Sequence, residues 1–68
     1  MWIRSQNEDL LINVEAVKKG INNEIYGWAS GRDFNIGRYE TPEEVLKVLD
    51  MIQNHNTGVF QMPLRVTD

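Results

Sequence analysis

The sequence predicts an α+β fold: a small antiparallel β-meander of about four strands, one helix packed on one face, and a C-terminal edge strand. Three observations lead there. Apolar and polar residues alternate through most of the first 39 positions, residues 42–54 switch to a helical period, and Phe60 to Val66 return to strict alternation. The 68 residues contain no internal repeat and no linker-like stretch, so one domain is expected over 1–68, made of the meander (1–39), the helix (42–54) and a C-terminal strand or arm (59–66).

The strands are expected at Met1 to Ser5, at Leu10 to Lys19 with a break near Glu15, at Glu24 to Ser30 and at Phe34 to Tyr39. Asn22-Asn23 and Ser30-Gly31-Arg32-Asp33 supply residues that tolerate positive φ or bond their own backbone, which suits hairpins on both sides of the Ile25 strand. Thr41, Pro42, Glu43 and Glu44 read as an N-cap, a proline at the first helical position and acids against the positive end of the dipole. Val45, Val48, Leu49 and Ile52 then recur at helical spacing, with Leu46 and Met51 widening the stripe, and the helix should stop near Asn54 to Asn56, before Gly58. In the tail, Phe60, Met62, Leu64 and Val66 alternate with polar positions and Pro63. Proline cannot donate to a ladder, so this strand belongs at an edge, reaching toward a neighbouring subunit, or else the tail is disordered.

The two sheet faces differ in composition. If the helix covers Ile3, Leu10, Ile12, Val14, Ile25, Gly27, Ala29, Phe34 and Ile36, the small Gly27 and Ala29 leave room for it. The opposite face then carries Trp2, Arg4, Leu11, Asn13, Tyr26, Trp28, Asn35 and Tyr39, a larger apolar patch than a monomer normally exposes. The period of two does not say which side the helix takes, and with the faces reversed Tyr26 and Trp28 would be core.

Composition narrows the function. The formal charge is -3, and residues 40–54 carry all of it, through Glu40, Glu43, Glu44 and Asp50 against Lys47. No continuous basic stripe is present to displace counterions, which argues against polymeric nucleic acid as a partner. With no cysteine and one histidine, neither disulfides nor a structural zinc can support so small a core, so a homo-oligomer, most simply a dimer, is expected. The opening residues lack the apolar stretch of a signal peptide and no run approaches a membrane span, so a cytoplasmic protein without a membrane partner is expected.

Catalysis finds little material. His55 falls near the helix C-terminus, where the dipole stabilises a cation, and Glu43-Glu44 is explained by helix initiation. No nucleophilic cysteine, glycine-rich phosphate loop, HExxH or GxSxG is present, so a non-enzymatic protein without cofactor is expected. Lys18-Lys19 reads as a solvated hairpin edge. Arg4, Arg32 and Arg38 stand out instead: an arginine beside Trp or Tyr can pair with phosphate while the ring stacks on a base. Surface solubilising charge is the plainer reading of the same residues.

The segments Met1-Trp2-Ile3-Arg4-Ser5-Gln6, Ile36-Gly37-Arg38-Tyr39 and Val45 to Gln53 resemble a family of short proteins from Gram-positive bacteria and their phages. That family in turn looks like the small phage proteins that sequester the cyclic nucleotides of CBASS antiviral signalling, the anti-CBASS sponges. The resemblance covers the first six residues and roughly 36–53. It implies an immune-evasion protein that binds a cyclic dinucleotide as an oligomer without cleaving it, in the bacterial host cytoplasm. It carries over Trp2, Arg4, Arg38 and Tyr39; Tyr26, Trp28 and Arg32 join the expected ligand-binding set on the face argument alone. The alternative is a small protein–protein interaction module or inhibitor using the same aromatic face or the acidic helix.

Overall fold

In the computed structural model, which describes residues 1–66, the alternating segments form six strands around one helix: β1 (Trp2–Arg4), β2 (Leu11–Asn13), β3 (Ala16–Lys19), β4 (Glu24–Ala29), β5 (Arg32–Arg38), α1 (Pro42–Gln53) and β6 (Phe60–Gln61). They make two three-stranded sheets, β2-β1-β6 and β3-β4-β5, the second a plain antiparallel meander. The architecture is α+β, with the helix packed on the sheets and a short edge strand near the C-terminal end.

The expected break near Glu15 is a change of sheet. Val14 N–H donates to the Met1 carbonyl (2.9 Å), and Glu15 N–H donates to that of Trp28 (2.8 Å), so successive residues belong to different ladders. On the far side, Gln6 N–H donates to the Ile36 carbonyl (2.8 Å). The sheets therefore meet along two seams and enclose one core, in which Ile3, Ile25, Ile36, Val45, Val48 and Met62 are wholly buried. Each such side chain contributes about 1.5–3 kcal/mol over its exposed state.

Both hairpins use the residues that the sequence offers. Asn22 and Asn23 have φ of 53° and 60°, and Ser30 and Gly31 have 53° and 79°, the paired positive values that a two-residue turn needs to match the strand twist. Gly27 serves a purpose other than the one expected. A Cβ there would lie 2.7 Å from Val14 Cγ1, so the space it leaves is filled by a strand side chain, not by the helix.

Helix α1 starts as its local chemistry requires. Thr41 Oγ1 accepts from Glu44 N–H (3.2 Å), Pro42 occupies the first turn, and Glu44 Oε1 reaches back to Glu40 N–H (3.1 Å). Its buried residues are Val45, Val48 and Ile52; Leu49 is only half-buried, while Leu46 and Met51, expected in the stripe, face outward. The apolar seam is thus narrower than the sequence pattern. No helix among the described residues is long and apolar enough to cross a membrane.

Two features depart from the sequence reading. Strand β5 is bulged: Ile25 pairs with Gly37 but Tyr26 pairs with Asn35, leaving Ile36 as an extra residue. Ile36 and Gly37 both face the core, and every later side chain changes face. The tail, expected to be one strand through Val66, holds strand geometry only at Phe60 and Gln61, and it runs parallel to β1. Met62 N–H still donates to the Arg4 carbonyl (3.0 Å); Pro63 then has no donor, and pairing ends. The tail folds back on its own chain. Phe60 and Met62 complete its own core, and residues 63–66 form a strap held by Tyr39 Oη on the Pro63 carbonyl (2.7 Å), Gln6 Nε2 on that of Leu64 (2.7 Å) and Val66 N–H on Glu44 Oε2 (3.1 Å). The expected alternation fails there, since Leu64 is exposed.

Candidate functional site

The seven residues proposed from sequence fall into separate groups. Trp2 and Arg4 lie two residues apart on the outer face of β1, with Cα atoms about 7 Å apart. The register sets Trp2 beside Asn13 and Arg4 beside Leu11 on one flank and Gln61 on the other; Val59 immediately precedes β6, and continuing that register one step back would bring it to the level of Trp2. Trp2, Leu11 and Val59 are 48%, 47% and 52% exposed, so three large apolar side chains share one small solvent-facing surface. Arg4 sits among them with no carboxylate near enough to pair with it among the described residues. Isolated exposed apolar residues are ordinary; three on the outer side of one short sheet are less so.

Tyr26 and Trp28 lie on the outer face of the other sheet. The bulge brings Arg38 to that face too, opposite Glu24, while Asn35 stands opposite Tyr26 and Asp33 opposite Trp28. This face is polar and internally satisfied. Tyr26 Oη donates to Glu24 Oε1 (2.5 Å), Asn35 Nδ2 donates to Glu24 Oε2 (3.1 Å), and Lys18 Nζ lies 3.2 Å from Asp33 Oδ2. The hydrogen bond to the Glu24 carboxylate holds the Tyr26 phenol above its ordinary range, because ionisation would remove the donor and place two anions together. Arg38 Nε donates to the Asn22 carbonyl at 3.5 Å and its N–H donates to Gln6 Oε1 (2.8 Å).

Two of the seven do not belong to either face. Arg32 pairs with the buried Ala29, on the inner side of β5, and its guanidinium lies 5.1 Å from the Phe34 ring centre, away from Trp28. Tyr39 is a core residue, 6% exposed, rather than a ligand-stacking ring. The reason is the bulge: with uninterrupted alternation Tyr39 would share the Asn35 face, and one extra residue turns it inward. Burial, with the Glu44 carboxylate adding to it, pushes its phenol up to about 12. A phenol so disposed donates and stays neutral, which suits its bond to Pro63.

Two surface cavities lie beside these groups, and neither is lined by Trp2 or Arg4. One of about 680 Å³ is bounded by Lys18, Lys19, Gly20, Ile21, Tyr26 and Asp33. The other, about 330 Å³, runs between Gln6 and Asn7 on one side and Asn35 and Arg38 on the other. Amides line the second, but they serve the fold: Asn35 Oδ1 accepts from Gly37 N–H, and Asn7 Oδ1 accepts from both Ser5 Oγ and Asp9 N–H. No group of three His, Asp or Glu side chains converges to hold a metal among the described residues.

The sequence reading passed over Val59 and Ile21, and took Lys18 and Lys19 only as a solvated hairpin edge. A signal existed for Val59, since it precedes Phe60 in an alternating tail and must point opposite to it; nothing local indicated a cavity beside the two lysines. Compared with protein-family models, with curated proteins and with solved structures, the chain matches none.

Proposed function

We propose that this chain is a non-enzymatic binding module that docks on another protein through the outer face of the β2-β1-β6 sheet. The observation that carries this reading is the exposed apolar surface made by Trp2, Leu11 and Val59, on a sheet whose outer face also carries Arg4, with no carboxylate paired to it among the described residues. Tryptophan and arginine dominate the energetics of protein interfaces, and an aliphatic surround excludes water from them. Small-molecule sites are concave, whereas this is the outer face of a short sheet. Three strands of about 10 Å, spaced about 4.8 Å apart, present far less than the roughly 800 Å² per partner of a standard interface. A homodimer would have to extend well past this face; a partner element that wraps onto neighbouring surface fits it better.

A second reading has one specific support. Trp2 and Arg4 are neighbours on one face, so a base stacked on the indole would place a phosphate near the guanidinium, as sequestration of a cyclic dinucleotide requires. The other aromatic and arginine residues of the expected set do not join that pair.

One experiment separates the two. A photo-crosslinking amino acid at Leu11, used in cells of the natural source, should give a discrete protein adduct that Trp2→Ala abolishes, while the same probe at the exposed Glu43 should not. Calorimetry against a panel of cyclic dinucleotides runs in parallel. Binding below about 1 µM that disappears in Arg4→Ala, with no adduct at Leu11, would replace the protein-docking reading by the nucleotide one.

A further inference from the structure

We propose that the open edge of β3 captures an extended, acidic segment of another protein by strand addition, with one apolar side chain of that segment seated in the cavity beside Tyr26. This surface is separate from the Trp2 face and stands or falls without it.

The backbone argument comes from register. Among the described residues, strand β3 has a strand neighbour, β4, on one side only. Gly20 N–H donates to the Glu24 carbonyl (2.7 Å), which fixes Gly20 with Glu24 and Lys18 with Tyr26 as the hydrogen-bonded pairs of this hairpin. The N–H and C=O groups of Val17 and Lys19 therefore point away from β4, toward an incoming strand. The edge is held in place, because Val17 packs against the core.

The side-chain argument comes from what flanks that edge. The Tyr26 ring packs against Gly20, where an added Cβ would stand 2.1 Å from ring atom Cε2. Its hydroxyl is tethered to Glu24, so the ring is a fixed wall. Ile21, at the hairpin tip, is 72% exposed and forms another boundary of the 680 Å³ cavity. A main-chain ladder combined with a side-chain pocket is the recognition mode of strand-adding peptides.

Charge selects the occupant. Lys18 and Lys19 stand on opposite sides of the strand, so acidic residues on both faces of an added segment would each meet an ammonium. Among the described residues Lys18 is paired with Asp33, in a contact whose two side chains are 58% and 39% exposed and which exchanges partners at little cost. A second copy of β3 is the wrong occupant, since antiparallel self-pairing would set four lysines against one another. Lysines on an edge also serve as a general guard against aggregation, but that role predicts neither a preference for acidic peptides nor dependence on a backbone ladder.

The test titrates the full chain with the acetylated, amidated peptide Val-Glu-Glu-Val-Glu-Glu, its counterpart with lysine for glutamate, and the acidic peptide N-methylated at alternate residues. Backbone amide shifts report the site, and anisotropy of labelled peptide reports affinity. The acidic peptide should move Val17, Lys19, Gly20 and Ile21 saturably and leave Leu11 unmoved; the other two should bind at least about tenfold more weakly. In the exposed double variant Lys18→Glu, Lys19→Glu, the preference should reverse toward the lysine peptide. Absence of β3 shifts, equal binding of acidic and basic peptides, or undiminished binding of the N-methylated peptide overturns the proposal, and shifts centred on Trp2 and Leu11 would assign the peptide to the other face.

Discussion

Removing one oxygen from the core tests how the C-terminal strap is held. In Tyr39→Phe the ring keeps its volume, so no cavity forms, but the Pro63 carbonyl loses the hydroxyl that donates to it at 2.7 Å. An under-satisfied, part-buried carbonyl costs about 1–3 kcal/mol. The pH dependence supplies a second, independent signature. The phenol titrates near 10.0 when unfolded and at about 12 when folded, so between these values the unfolded chain has released a proton that the folded chain retains. With fewer protons bound to the unfolded state, stability falls as pH rises: the contribution is complete below pH 10 and is lost by about pH 12, with an upper limit of about 3 kcal/mol. The phenylalanine variant lacks this loss. Urea unfolding of both proteins from pH 7 to 12 should show the variant less stable by about 1–3 kcal/mol up to pH 10, with the gap closing above it. Every other ionisation is common to both chains and cancels in the difference. A gap that stays constant to pH 12, or no gap at pH 7, would refute the strap argument.

Other perturbations follow from single contacts. Thr41→Ala should cost about 1 kcal/mol in chemical denaturation, through loss of the acceptor for Glu44 N–H. Ile52→Ala should cost about 2–5 kcal/mol and Leu46→Ala less than about 0.5, because the first side chain is buried against the sheets and the second faces solvent; equal effects would mean the helix is rotated from this packing. Gly20→Ala should destabilise by about 1–3 kcal/mol and shift the Tyr26 ring resonances, since the new methyl occupies the place of the ring. Trp2→Ala should leave the melting temperature within about 2 °C while removing the Leu11 crosslink, because the indole is half exposed and outside the core.

Local signals made part of this fold legible. Thr41-Pro42-Glu43-Glu44 specifies a helix start whatever surrounds it, and the Asn22-Asn23 and Ser30-Gly31 pairs specify turns because few residues accept two consecutive positive φ values. The two face sets were legible as sets, though not which of them the helix takes: Ile3, Ile12, Val14 and Ile25 are buried, while Trp2, Leu11 and Trp28 are exposed. What escaped was set by contacts between distant segments. The parallel pairing of β6 with β1 joins residues nearly 60 positions apart, and the end of that pairing after the Met62 bond to the Arg4 carbonyl depends on Pro63, which has no N–H, falling next in the ladder.

The bulge in β5 had the largest consequence for the candidate site. Ile36-Gly37-Arg38-Tyr39 alternates as well with a bulge as without one, and only the packing of Ile36 and Gly37 together against the core decides between them. With the bulge, Tyr39 leaves the surface to hold the strap, and Arg38 arrives opposite Glu24 instead. An aromatic count therefore overstated the exposed face by one ring and assigned it to a single surface, when Trp2 and the Tyr26–Trp28 pair sit on different sheets. Binding is consequently divided between two small surfaces of different chemistry: an apolar face centred on Trp2, which favours a desolvated contact, and a lysine-bearing edge at β3, which favours a backbone ladder and carboxylates. Because these surfaces share no side chain, substitution at Trp2 and charge reversal at Lys18 and Lys19 should act independently, and energetic coupling between them would mean that one partner spans both.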